Sequence, residues 1–134
     1  MTKLTKIEGI GEKYAEKLQA AGVTSVEQLL EEGATPQGRK RLAEKANISS
    51  TSILKWVNRA DLFRIKGIGE EYADLLEAAG VDTVPDLGQR KAENLYQKLL
   101  EVNEARKLVR RPPIQAQVAE WIEQAKNLPR VVQY

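Results

Sequence analysis

Several residue types that carry chemistry in proteins are missing from this chain. The sequence has no Cys, which excludes disulfides and thiolate metal sites and favours a reducing compartment. It also has no His, which removes the commonest general base and the commonest metal ligand. The acidic residues are spread along the chain and form no compact set of the kind that a metal-dependent nuclease needs. We therefore expect no cofactor, no bound metal and no enzymatic activity.

Aromatic residues and long apolar runs are also scarce. With one Phe and two Trp, the core must consist mainly of Leu, Ile, Val and Ala, which is typical of helical bundles. No apolar run approaches the roughly 18 residues of a membrane span. Residues 1–14 lack the apolar core of a signal peptide. These features predict an all-α, cytoplasmic protein with no membrane partner and no small-molecule substrate.

The charge of the chain is weak and unevenly distributed. The net charge is +2, whereas a dedicated nucleic-acid binder usually shows a stronger basic excess. Residues 1–64 carry 11 basic and 8 acidic side chains, and residues 65–134 carry 10 basic and 11 acidic ones. The first half is therefore the better partner for phosphate.

The strongest pattern is an internal duplication. Residues 7–30 read IEGIGEKYAEKLQAAGVTSVEQLL, and residues 65–88 read IKGIGEEYADLLEAAGVDTVPDLG. Fourteen of these 24 positions are identical at a constant offset of 58 residues. The duplication predicts two halves, residues 1–62 and 63–134, which we expect to pack as one compact unit of about eight or more helices.

Each copy carries clear turn and capping signals. A Gly-x-Gly turn precedes a helix, and we expect the backbone to demand both glycines of each pair. Gly22 is placed to end the first helix, and Thr24 or Ser25 to cap the next one. Trp56, Trp121 and the tyrosines at positions 14 and 72 are flanked by apolar residues, so we expect them in the core.

Two weaker copies extend the pattern. Aligning residues 42–57 with residues 4–19 places Asn47 on Gly9, and Asn is the non-Gly residue that best tolerates the left-handed conformation. A further copy has Pro112 and Pro113 at the turn, where Pro would start the next helix. The chain then holds four hairpins. Alternatively, residues 36–60 and 89–127 are plain packing helices.

The two strong copies match the helix-hairpin-helix motif, which reads apolar-x-Gly-apolar-Gly-x-x-x-Ala. The whole chain, including TPQGRKRLAEKANIS and WIEQAKNLPRVV, resembles an uncharacterised bacterial family of tandem helix-hairpin-helix proteins, a domain of unknown function. The resemblance implies a SAM-like bundle of duplicated repeats and sequence-independent DNA binding, in which backbone amides at a helix N-terminus bind phosphate. The residues expected to contact DNA are Lys6, Gly9, Ile10, Gly11 and Lys13, then Lys66, Gly67, Ile68 and Gly69, and the basic run Arg39, Lys40 and Arg41.

The sequence also departs from the DNA-binding pattern. Lys13 occupies the basic position after the first turn, but Glu71 replaces it in the second copy, next to Glu70. Acidic residues there repel phosphate, although they also favour the helix macrodipole. Basic runs at residues 39–41 and 106–111 are more often solvated helix faces than binding sites. The leading function is a weak, non-specific DNA-binding module, and the alternative is a protein-interaction or assembly module with purely structural hairpins.

Overall fold

The computed structural model describes all 134 residues, and all of its regular secondary structure is helical, which confirms the all-α prediction. It contains eight α-helices, one short 3₁₀-helix and no strand. The chain forms two compact units: unit 1 holds residues 1–61 and 130–134, and unit 2 holds residues 62–129. The division falls one residue before the expected boundary. Residues 130–134, which the sequence placed with the second half, belong to unit 1.

The two units have similar successions of helices. Unit 1 begins with a 3₁₀-helix at Leu4–Lys6. Four α-helices follow it: α1 Glu12–Ala20, α2 Val26–Glu32, α3 Pro36–Ala46 and α4 Ser50–Leu62. Unit 2 holds α5 Glu70–Ala78, α6 Val84–Gly88, α7 Ala92–Arg106 and α8 Gln115–Asn127. Helices α5 and α6 begin 58 residues after α1 and α2, so the duplicated sequences form the same elements. No helix combines the length and apolar character that crossing a bilayer requires.

The ends of the duplicated helices follow the capping signals. Gly22 and Gly80 have φ of 95° and 92° directly after α1 and α5, the left-handed geometry in which Gly has no steric cost. Ser25 caps α2 by accepting a hydrogen bond from the Gln28 amide at 3.2 Å. Thr83 caps α6 in the same way. These local predictions are confirmed.

Each unit has an apolar interior of its own. In unit 1, α1 and α2 pack against α3, with fully buried side chains such as Leu18, Leu29 and Ile53. In unit 2, α6 and α7 pack against α8, and α5 packs against α7. Leu76 and Leu99 are fully buried there. Burying side chains of this size stabilises the fold by about 1.5–3 kcal/mol each.

The connections before the last helix of each unit differ. In unit 1, Asn47 takes φ of 55° in the short connector between α3 and α4, as the alignment with Gly9 predicted. In unit 2 the corresponding connector spans residues 107–114. The Asn103 side chain fixes it through two hydrogen bonds with the backbone of Val109. Because α8 begins at Gln115, the prediction that Pro112 and Pro113 start that helix is wrong.

The beginning of the chain is fixed to α2. The Thr2 amide donates to Glu27 Oε1 at 2.9 Å, and the Thr2 hydroxyl donates to Glu27 Oε2 at 2.8 Å. These bonds stabilise the ionised carboxylate, and the bond from the Thr2 amide contributes most. They hold the pKa of Glu27 below its ordinary value. The bonds position the 3₁₀-helix that precedes the first Gly-x-Gly turn.

Candidate functional site

The two Gly-x-Gly turns have the same local conformation. Gly9 and Gly67 both have φ of 95°, which only Gly adopts without strain. The amide of Ile10 donates to the Ile7 carbonyl at 3.0 Å, and the amide of Ile68 makes the equivalent bond at 3.1 Å. The side chains of Ile10 and Ile68 are buried. The turns are therefore anchored by an inward-pointing Ile.

The first glycine of each turn lies against a buried tryptophan. A Cβ on Gly9 would lie 3.1 Å from Trp56 Nε1, and one on Gly67 would lie 3.0 Å from Trp121 Nε1. The two Trp side chains are 4% and 2% exposed, which confirms their predicted place in the core. These glycines are thus required both by the backbone and by the indole.

The second glycine of each turn is a different case. Gly11 and Gly69 have φ of −86° and −102°, an extended conformation open to any residue. A Cβ at either position would meet no atom within 4 Å. The expectation that the backbone demands these two glycines is therefore wrong, because neither φ nor packing requires them.

Beyond Gly11 the first turn of α1 leaves backbone amides without helical partners. The first bond of the helix runs from the Ala15 amide to the Gly11 carbonyl, and no side chain caps the helix. The amides of Gly11, Glu12, Lys13 and Tyr14 precede that bond, and all four residues are exposed. The amide of Ile10 is already bonded to Ile7. The donors that could meet a ligand therefore begin at Gly11.

One known protein family spans nearly the whole of this chain. A family model for a domain of unknown function, DUF4332, matches residues 8–128. The chain belongs to this family. No curated protein and no solved structure matches the chain. The DUF4332 match covers both copies of the repeat and carries no assigned activity.

In the second half of the DUF4332 chain, the start of α5 has different surroundings. The side chain of Gln124 on α8 binds the main chain of Lys66: the Lys66 amide donates to Gln124 Oε1 at 2.8 Å, and Gln124 Nε2 donates to the Lys66 carbonyl at 3.1 Å. The Lys66 side chain is exposed. Glu71 lines an open groove of about 630 Å³ together with Lys107 and Arg110. These two cations lie near the acidic residue that replaces Lys13 in this copy.

The tyrosines beside the two tryptophans also differ. The ring centroids of Tyr14 and Trp56 are 5.1 Å apart, and those of Tyr72 and Trp121 are 5.2 Å apart. The Tyr72 hydroxyl donates to the Arg111 carbonyl at 2.9 Å, in the 107–114 connector. Tyr14 is 42% exposed, so its predicted place in the core is wrong. The shorter connector of unit 1 leaves its ring at the surface.

Lys17 also lies beside the ring of Tyr14. Its Nζ is 5.7 Å from the ring centroid, within the range of a cation–π contact. The exposed aromatic ring and this cation are both on α1, a few residues after the uncapped amides. The surface that follows the first turn therefore carries exposed donors, a cation and an aromatic ring.

The predicted basic run on α3 separates into two parts. Arg39 is 7% exposed, and its guanidinium donates to the carbonyls of Gly33, Ala34 and Gln133. Arg39 is a buried structural residue, so the prediction that it binds phosphate is wrong. Lys40 and Arg41 are exposed on the same helix.

The remaining predicted site residues have clear positions. Lys6 and Lys13 are exposed on either side of the first turn. Sequence reasoning missed the contacts of Arg39, Gln124 and Tyr72, because each joins segments that are distant along the chain. No group of three or more acidic side chains lies close enough together to hold a metal ion.

Proposed function

We propose that this chain is a non-enzymatic module that binds DNA without sequence preference. In this proposal, residues 4–20 and 62–78 are helix-hairpin-helix units, and unit 1 makes the main contact. The observation that carries the proposal is the uncapped, exposed start of α1 beside the open position at Gly11.

The chemistry of that position suits a phosphate. Helix N-termini carry a partial positive charge, and their free amides bind anions. Because nothing occupies the space where a Cβ of Gly11 would lie, a phosphate oxygen can approach the backbone closely. Lys13 and Lys6 add positive charge on exposed side chains next to the turn. Lys40 and Arg41 supply a secondary basic surface on α3.

Unit 2 contributes less to this proposed interface. Its residues carry 10 basic and 11 acidic side chains, against 11 and 8 in unit 1. The Gly67-Ile68-Gly69 turn is followed by Glu70 and Glu71, whose carboxylates repel phosphate at short range. Lys107 and Arg110 reduce that repulsion, since both line the same groove as Glu71.

Contact with a few phosphates sets the expected strength of binding. Non-specific binding of this kind has a Kd on the order of 10⁻⁴–10⁻⁶ M near physiological salt. The affinity falls with salt with a log–log slope of about −0.9 for each phosphate neutralised. We expect a shallow slope, led by the first turn.

The alternative function is a protein-interaction module in which the turns only pack the fold. One observation favours it: Gly9 and Gly67 are fully explained by their φ and by the adjacent Trp side chains. The acidic residues after each turn also suit a helix start, where they contribute roughly 0.3–1 kcal/mol. Gly is also a favoured N-cap residue, so this explanation covers Gly11 and Gly69 as well, and the two functions differ in whether a phosphate uses the open space beside Gly11.

Substituting Gly11 with Ser separates the two functions. A Ser side chain at this position caps the free amides of α1, which should leave stability unchanged or raise it by roughly a few tenths of a kcal/mol. The same oxygen competes with phosphate, so binding should weaken about tenfold for every duplex. Fluorescence anisotropy with unrelated labelled duplexes at two salt concentrations measures this change.

Gly69→Ser is the matched control, because it makes the same local change in unit 2. We expect a smaller loss of binding for this variant. If the unsubstituted chain does not bind DNA at low salt, or if Gly11→Ser binds as well as the unsubstituted chain, the protein-interaction function replaces the proposed one.

A further inference from the structure

Residues 130–134 belong to unit 1, although the other residues of that unit are residues 1–61 and the whole of unit 2 lies between the two stretches of chain. The Gln133 amide donates to the Ala34 carbonyl at 2.7 Å. The Gln133 carbonyl accepts a hydrogen bond from Arg39 Nη2, also at 2.7 Å. Both polar groups of one main-chain residue are thus bound by unit 1, as in the recognition of an extended peptide.

Arg39 anchors this contact from inside unit 1. Its Nη1 donates to the Gly33 carbonyl at 2.9 Å and to the Ala34 carbonyl at 3.3 Å, in the connector between α2 and α3. This bonding and burial hold the guanidinium in place. The Arg39 guanidinium that binds the Gln133 carbonyl is therefore held in a fixed position.

Two side chains of the segment complete the contact. Val132 is 2% exposed, so it contributes the apolar burial. The Tyr134 hydroxyl donates to Asn58 Oδ1 of α4 at 2.7 Å. Asn58 is itself buried, at 9% exposure. The segment thus presents an apolar side chain, a main-chain pair and a phenol hydroxyl in succession.

Residues within the segment also contact one another. Arg130 Nε donates to the Val132 carbonyl at 3.3 Å, and the Arg130 guanidinium carbon lies 5.4 Å from the Tyr134 ring centroid. Contacts within the segment favour its bound shape and lower the entropy lost on docking.

We propose that unit 1 has a peptide-docking groove, formed by Gly33, Ala34, Arg39 and Asn58, whose occupant is the segment 130–134. The segment is an exchangeable ligand: when it leaves the groove, the same five-residue sequence supplied by another molecule takes its place. In the intact chain the attached segment binds the groove intramolecularly, so it competes with any free peptide and blocks the groove. This inference does not depend on the proposed DNA binding.

The test uses the full chain with Val132→Asp and a fluorescein-labelled peptide of sequence RVVQY. Aspartate at a buried apolar position disfavours docking of the attached segment and opens the groove. Fluorescence anisotropy should then show that the V132D chain binds the peptide at least about tenfold more tightly than the unsubstituted chain does. A labelled peptide that carries the same Val-to-Asp change should not bind either chain.

Ile114→Asp is the matched control for an added acidic residue. Ile114 is 61% exposed and lies in unit 2, so this variant should bind the peptide no better than the unsubstituted chain. Equal binding of RVVQY by the V132D and unsubstituted chains would overturn the proposal. Equal binding of the two peptides by the V132D chain would overturn it as well.

A second measurement covers the case in which V132D unfolds unit 1. In the unsubstituted chain, hydrogen exchange at the Gln133 amide should be slowed at least about tenfold relative to the free peptide, because that amide is bonded to Ala34. Tyr134→Phe removes the bond to Asn58 and should speed this exchange several-fold, with core amides such as Leu99 unchanged. Exchange at the free-peptide rate in the unsubstituted chain would refute the docked segment.

Discussion

Tyr72 and Tyr14 occupy equivalent positions against a buried tryptophan, yet only Tyr72 is held by the connector before the last helix of its unit. In unit 1 that connector is short, and the Tyr14 ring remains 42% exposed beside Lys17. The contacts that define the turn are the same in both units, whereas the surfaces around it differ. The comparison teaches that the fold requires the turn and the tryptophan, and that the two surfaces are free to serve different purposes.

The largest expected effect tests the part that the units share. Trp56→Ala and Trp121→Ala should each destabilise their own unit by about 3–5 kcal/mol, because each removes a large buried side chain. Urea denaturation followed by amide signals from each unit measures both losses separately. A loss below about 1 kcal/mol in either unit would show that the tryptophan is not a common basis of the fold.

The next effect concerns the two kinds of glycine. Gly9→Ala and Gly67→Ala should cost about 1–3 kcal/mol, because φ of 95° strains any other residue and the new Cβ meets an indole. Gly11→Ala and Gly69→Ala should cost only about 0.5 kcal/mol, the effect of a poorer N-cap. Thermal melts of the four variants give the order. Equal losses at both kinds of position would contradict the distinction.

Exchanging charges between the turns sharpens the functional comparison. Lys13→Glu should weaken DNA binding about three- to tenfold for every duplex, and it should make the log–log salt slope less steep by about 0.9. Glu71→Lys should strengthen binding, since it adds a third cation to the groove that holds Lys107 and Arg110. Anisotropy titrations on unrelated duplexes measure both. Indifference to both substitutions would favour protein interaction.

The smallest expected effect isolates the connector of unit 2. Tyr72→Phe removes the hydrogen bond to the Arg111 carbonyl and should cost about 0.5–1.5 kcal/mol. Tyr14→Phe is the matched control, and its stability should stay within about 0.5 kcal/mol of the unsubstituted chain. Calorimetric melting temperatures compare the pair. A larger loss for Tyr14→Phe would mean that the exposed hydroxyl has a structural role.

The features that sequence reasoning predicted correctly are governed by local backbone rules. Left-handed geometry at Gly22, Gly80 and Asn47 follows from residue types placed just after a helical pattern. The cap at Ser25 follows from its position just before one. The predictions at the glycine and at the N-cap hold in both copies, at Gly80 and Thr83 as well as at Gly22 and Ser25. The local backbone conformation could therefore be predicted from the sequence without any knowledge of packing.

The features that sequence reasoning missed depend on long-range packing or on surroundings. Arg39 looked identical to Lys40 and Arg41 in a basic run, and only the fold shows that it is buried. Its bond to Gln133 joins residues 94 positions apart. Likewise, a Gly-x-Gly pattern does not distinguish a glycine required by its φ, such as Gly9, from one beside open space, such as Gly11.

The contact between the first glycine and the tryptophan has a consequence for how the two copies have diverged in length. The glycines at positions 9 and 67 are 58 residues apart, but the tryptophans at positions 56 and 121 are 65 apart. The chain from the glycine to the tryptophan is therefore seven residues longer in unit 2 than in unit 1. Helix α7 has 15 residues against 11 in α3, α6 has five against seven in α2, and the connector at 107–114 is longer than that at 47–49. In both units a Cβ added to the first glycine would still lie only 3.0–3.1 Å from the indole Nε1. The same contact therefore forms with chains of different length between the two residues, which makes the connector at 107–114 the natural place to graft a foreign loop.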